Sequence, residues 1–124
     1  RDPRVVVMER SNALHVSLPE PVALVTIDVG WTPQAKILPR AAALLAAGGR
    51  VFTLLKPHYE APPSLLEGGV LRDDAVPGIV DAVLAAAVRD GWDLAGSIES
   101  PLRGHGGNRE FLALLSRREP DPVA

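Results

Sequence analysis

The sequence predicts an α/β fold built on a mixed sheet. Short apolar runs alternate with two amphipathic helical patterns, the order expected of strands and helices packed in layers. The central runs are almost continuously apolar, as in strands covered on both faces. The last two runs are joined by residues 100–108, a Gly-rich stretch too short for a helical crossover. They are therefore expected to pair antiparallel.

Val5-Val6-Val7-Met8 is bounded by charge and reads as a buried strand. Residues 12–21 are polar and contain proline, so they are expected to be loop with one helical turn. Val22 to Asp28 reads as the next strand. Thr32-Pro33 has helix-start chemistry, a hydroxyl cap followed by proline. Pro39 should kink or restart that helix. Leu38, Ala41, Leu44 and Leu45 form its buried stripe, and Gly48-Gly49 closes it.

Arg50 to Leu55 is a strand stopped by Lys56-Pro57. Residues 57–72 form a loop whose length is more often functional than incidental. Asp73 or Asp74 caps the next helix, in which Val76, Ile79, Val80, Val83, Leu84, Ala87 and Val88 recur at helical spacing. Gly91 ends it. Trp92–Ile98 and Arg109–Ser116 are the last two strands. Residues 1–116 thus read as one domain or part of one, and the charged, Pro-rich residues 117–124 as a frayed tail.

Composition narrows the function. At net charge −2 there is no overall positive field to draw in nucleic acid, so an RNA partner would need charge from elsewhere. The absence of cysteine excludes disulfides and thiolate metal sites, and fits a reducing cytoplasm. No apolar run approaches membrane-spanning length. His58 and His105 lack metal-ligand company, and no metal is expected.

Topology then points to a site. In an open parallel sheet, ligands gather beyond the carboxyl ends of the strands. Lys56 stands at such an end, where a crowded amine can titrate low enough to act as a base. An antiparallel last strand begins at that same edge. Glu110 is therefore expected to face Asp28 and Lys56 across one crevice.

These residues resemble the FtsJ-like 2′-O-ribose methyltransferases, most closely the TlyA, or hemolysin A, branch. The stretches that carry the likeness are Asp2 to Arg10, Leu24 to Val29 and Gly68 to Asp73. Ser100 to Gly104 and Gly107 to Leu112 extend it, and Lys56-Pro57-His58-Tyr59-Glu60 looks like that branch's Lys-Pro-Gln-Phe-Glu. The resemblance implies a partial Rossmann-like methyltransferase fold in which the family's last strand inserts antiparallel between its fifth and sixth. It implies S-adenosylmethionine as cofactor, RNA (ribosomal RNA in particular) as substrate, and a Lys-Asp-Lys-Glu tetrad. Asp28, Lys56 and Glu110 match the last three members. Asn12 and Asp28 fall at cofactor-side positions, and His58, Arg72, Arg103 and Arg109 at substrate-side ones.

The sequence also departs from the pattern. No G-x-G-x-x-G occurs, and the first tetrad lysine and the first two strands have no counterpart. The branch's usual Ser-Phe after the aspartate is Gly30-Trp31, and its last-loop lysine is Gly106. Residues upstream of Arg1, or a second copy, are expected to cover the open edge of the Val22 strand. Alone, the chain is expected to be inactive. The alternative reading is a non-catalytic half-domain retained for interaction.

Overall fold

The computed structural model describes residues 2–118. Asn12 caps a single 3-10 turn at Ala13–His15, its side-chain oxygen accepting the Leu14 N–H at 2.9 Å. Strand β1 (Val22–Ile27), helix α1 (Gln34–Leu44) and strand β2 (Leu45–Leu55) form a parallel unit. Strands β3 (Leu66–Glu67) and β4 (Val70–Leu71) make a small hairpin inside the long loop. Gly68 and Gly69 turn it, both at positive φ as a tight hairpin requires. Helix α2 (Val76–Arg89) and strands β5 (Trp92–Glu99) and β6 (Phe111–Arg117) complete the fold. The sheet order is β1-β2-β6-β5, with β6 antiparallel to both neighbours.

Both helices share one face of the sheet. Ile37, Leu38 and Ala41 of α1 meet Ala87 of α2 in a single core with Ile27, Val51, Trp92 and Leu115. Trp92 is fully buried, and the Arg117 guanidinium lies 4.8 Å above its ring, a cation–π contact that helps seal the core. A second cluster of Leu55, Leu71, Val76 and Val80 packs the long loop against the start of α2.

Several expectations are corrected. Val5–Met8 is not a buried strand: no described strand lies beside it to pair its backbone, and Val6 is 81% exposed. β1 is not covered on both faces, since the helices occupy one face only and Leu24 is 56% exposed on the other. Thr32 does not cap α1; its hydroxyl donates to Gly30 O at 3.1 Å. Glu60 does so instead, its carboxylate accepting the Gln34 N–H at 2.7 Å from across the fold.

Helix α1 continues through Pro39, which is exposed. It ends at Leu44 rather than at the glycines, because the backbone leaves it to pair Leu45 with Val22. Gly48 (φ +75°) lies in the register shift that follows. Leu44 and Leu45 are consequently only half-buried. At the other end, β6 includes Arg117, and the Arg118 N–H donates to Gly91 O at 2.8 Å. The rest of the expected tail, residues 119–124, lies outside the described residues.

Candidate active site

The parallel strands β1 and β2 end, and the antiparallel β6 begins, at one edge of the sheet. Asp28 directly follows β1 and Lys56 directly follows β2. Their side chains meet: Lys56 Nζ lies 2.6 Å from Asp28 Oδ1, with the lysine side chain 17% exposed and the aspartate 69%. Glu110 stands one position beyond the last paired residues, Leu55 and Phe111, and so falls opposite Lys56 in the antiparallel register. Its backbone oxygen accepts the Ser100 N–H at 2.8 Å, which anchors the start of β6. Its carboxylate lies against Gly104, where a Cβ would sit 2.1 Å from Glu110 Oε2. The Gly-rich loop is therefore shaped around this glutamate.

The segment after Lys56 builds the rest of the wall. Pro57 opens a 3-10 turn that buries His58 and stacks its ring 4.2 Å from that of Tyr59. His58 Nδ1 is buried without a hydrogen-bond partner among the described residues. Burial, and then the charge of Lys56, hold this imidazole below its ordinary value of 6.5. The unfolded chain takes up the proton near 6.5 and the folded chain resists it, so stability is full above that pH and declines as pH falls below it. Burial raises Glu60 above 4.5, with the opposite sign. His58→Gln is expected to flatten the fall in melting temperature between about pH 6.5 and 5. An unchanged slope would show that another group carries it.

Trp31 completes the rim and was not singled out from sequence as a site residue. It is 85% exposed, yet its ring centroid lies 5.0 Å from that of Tyr59. Its backbone has φ +61°, a left-handed conformation that is costly for a bulky residue. An exposed aromatic held in that way beside Asp28 is a surface suited to a flat ligand.

The three arginines expected at substrate-side positions are drawn into ion pairs. Arg109 makes two hydrogen bonds to Glu99, at 2.8 and 2.9 Å, while Arg72 pairs with Asp74 at 2.7 Å. Arg103 lies 3.8 Å from Asp73 and donates to Gly107 O. Buried Asn108 ties this loop to the β3–β4 hairpin through Leu71 N and Gly69 O. β1, α1 and the 3-10 turn line an open cavity of about 230 Å³ that reaches Asp28. Asp28 and Arg40 line it, and Arg40 Nε is buried there without a partner among the described residues. Ala13 and Val16 also line it, whereas Asn12 does not. No cluster of potential metal ligands occurs among the described residues.

The chain is 34% identical to the Bacillus subtilis protein YqxC, which is named as an rRNA methyltransferase, over 93% of this chain and 43% of that one. It is equally similar to the 16S/23S rRNA (cytidine-2′-O)-methyltransferase TlyA of Mycobacterium tuberculosis, over 92% of this chain and 44% of that one. Over nearly all of its own length the chain is similar to TlyA-type proteins. It spans less than half the length of these two TlyA-type relatives.

A solved Streptococcus thermophilus protein bearing the name hemolysin superposes with a TM-score of 0.85 at 34% identity, covering 96% of this chain and 45% of that one. The glycopeptide N-methyltransferase MtfA, solved with S-adenosylmethionine, superposes at 0.57 with 15% identity, covering 88% of this chain and 59% of that one. At that identity the likeness speaks for fold alone, a partial Rossmann-like methyltransferase fold. A stretch amounting to 19% of a Kitasatospora griseola 1-deoxy-D-xylulose-5-phosphate synthase is also 35% identical, over 94% of this chain; so small a share gives no reason to carry over that activity. No protein-family model matches the chain. No described helix is long and apolar enough to cross a membrane.

Proposed function

We propose that this chain forms part of the catalytic domain of a cytoplasmic, S-adenosylmethionine-dependent RNA 2′-O-ribose methyltransferase acting on ribosomal RNA. The observation that carries the reading is the Lys56–Asp28 contact at 2.6 Å, at the strand-end edge where β6 also brings Glu110. A ribose hydroxyl is a poor nucleophile at neutral pH and needs its proton accepted or polarised. Lys56 is the group placed for that task, with Asp28 fixing the amine and Glu110 orienting the hydroxyl. Asp28 and Arg40 would hold the cofactor from the 230 Å³ cavity, where the orphaned Arg40 Nε fits an acceptor on the ligand, and Asn12 would contact it from the adjoining turn. Bound, the cofactor supplies a methyl group activated on a sulfonium.

His58 then serves the substrate side of the crevice. RNA phosphates would recruit Arg72, Arg103 and Arg109 by exchanging their present carboxylate partners. The outer edge of β1 is covered by further residues of a longer protein or by a second copy, and this chain by itself is inactive.

The test is transfer of a labelled methyl group to ribosomal RNA by the full-length protein, with the product mapped to a ribose oxygen. Methylation of a base, or none on any RNA, would overturn the reading. Trp31 gives a finer check. Removing a base-stacking platform costs about 1–3 kcal/mol, so Trp31→Ala is expected to raise the RNA KM roughly tenfold or more while cofactor affinity stays unchanged. An unaltered KM would remove Trp31 from RNA recognition.

A further inference from the structure

Between α1 and α2 lies a second cavity, of about 460 Å³, that neither Asp28 nor Lys56 lines. Its walls are short apolar side chains, Ala35 and Ala42 from α1 and Ala82 and Ala86 from α2, with Trp92 beside them. Small residues alone would make only a groove. Here two polar groups line it as well. Gln34 is 4% exposed, and its Oε1 accepts from the Thr53 hydroxyl at 2.9 Å. Its amide nitrogen has no hydrogen-bond partner among the described residues, so the one free donor of an otherwise buried side chain opens onto the cavity.

Glu60 stands beside it. One carboxylate oxygen accepts the Gln34 backbone N–H at 2.7 Å, and the other has no partner among the described residues. Asp90 lines the far end. Arg117 donates to the Asp90 backbone oxygen at 3.1 Å, and neither the Glu60 nor the Asp90 carboxylate has a cation within ion-pair distance among the described residues. Arg117 lines that end too, but its guanidinium is spent on the Trp92 ring and the Asp90 backbone oxygen. At the Glu60 end, an apolar cavity with an unpaired carboxylate and an amide donor is complementary to a hydrophobic amine that also carries an oxygen acceptor. We propose that this cavity is a binding site for a small hydrophobic amino alcohol or related amine. Its ammonium pairs with Glu60, its oxygen accepts from the Gln34 amide, and its apolar body fills the alanine-lined space. The site is separate from the Lys56 reading and stands or falls without it.

Phenylalaninol is a suitable probe, titrated into the full isotope-labelled chain and followed by nuclear magnetic resonance. Saturable shifts are expected at the Gln34 side-chain amide, the Trp92 indole and the Ala86 backbone, at millimolar concentration. 3-Phenylpropan-1-ol, which lacks the amine, and 3-phenylpropionate, which reverses the charge, are each expected to bind at least about tenfold more weakly. Glu60→Gln should remove most of the difference between amine and alcohol, and Ala86→Leu should abolish binding by filling the space. Equal binding of alcohol and amine, shifts that persist in folded Ala86→Leu, or no saturation would each overturn the proposal. If Ala86→Leu fails to fold, the ligand comparison on Glu60→Gln decides.

Discussion

Lys56→Ala is expected to lower methyl transfer by the full-length protein roughly 10²–10⁴-fold, the range lost with a positioned acid or base, while the fold melts almost unchanged. The two halves of that expectation have different causes. The Lys56 amine is held by Asp28 at the edge where β1, β2 and β6 converge, so its removal takes away the group aimed at the crevice. The pair contributes little to stability, because the Asp28 carboxylate is 69% exposed. Pairs so solvated are worth about 0–1 kcal/mol. Lys56→Arg sharpens the test. It keeps the charge beside Asp28 but cannot give up its proton, so activity should stay low if Lys56 is the base and return if charge alone matters. Full turnover in Lys56→Ala would remove this residue from the chemistry.

Gly104→Ala should separate activity from stability just as sharply. The added methyl would lie 2.1 Å from Glu110 Oε2 and 2.8 Å from its Cδ, so the glutamate side chain must swing away. That motion costs little, since the clashing atoms are the end of a flexible side chain. The backbone is held on both sides, with the Gly104 N–H donating to Asn108 O at 2.7 Å and Glu110 O bound by Ser100. A displacement of about an ångström at a reacting group can cost on the order of 10²-fold in rate. The expected result is therefore a kcat near that of Glu110→Ala with a melting temperature near that of the parent. Normal kcat would mean that the glutamate has no positional role.

Much of this arrangement was legible in the residues. The helical spacing of Val76 to Val88, the Pro57 stop after Lys56 and the short Gly-rich join before β6 are local signals, and they sufficed for the order and direction of the two helices and the four strands of the main sheet. The edge that gathers Asp28, Lys56 and Glu110 followed from those directions. What escaped depended on distant partners. Val5–Met8 has strand composition, but a strand also needs a neighbour to pair with, and composition cannot say whether one is there. The true cap of α1 is Glu60, brought to Gln34 by the loop after Lys56, whereas Thr32 only looked like a cap. The left-handed backbone of Trp31 had no local signal either, because nothing in its composition marks it.

The position of β6 bears on how the molecule is made. It is the last of the described strands to be synthesised, yet it lies inside the sheet, between β2 and β5. A nascent chain that has completed β5 therefore holds two half-finished edges and no means of joining them. Only when Phe111–Arg117 has left the ribosome can those edges close and Glu110 take its place at the edge that carries Lys56. Until then the growing chain is open to wrong pairings, and a pause in translation before that point would prolong its most aggregation-prone state.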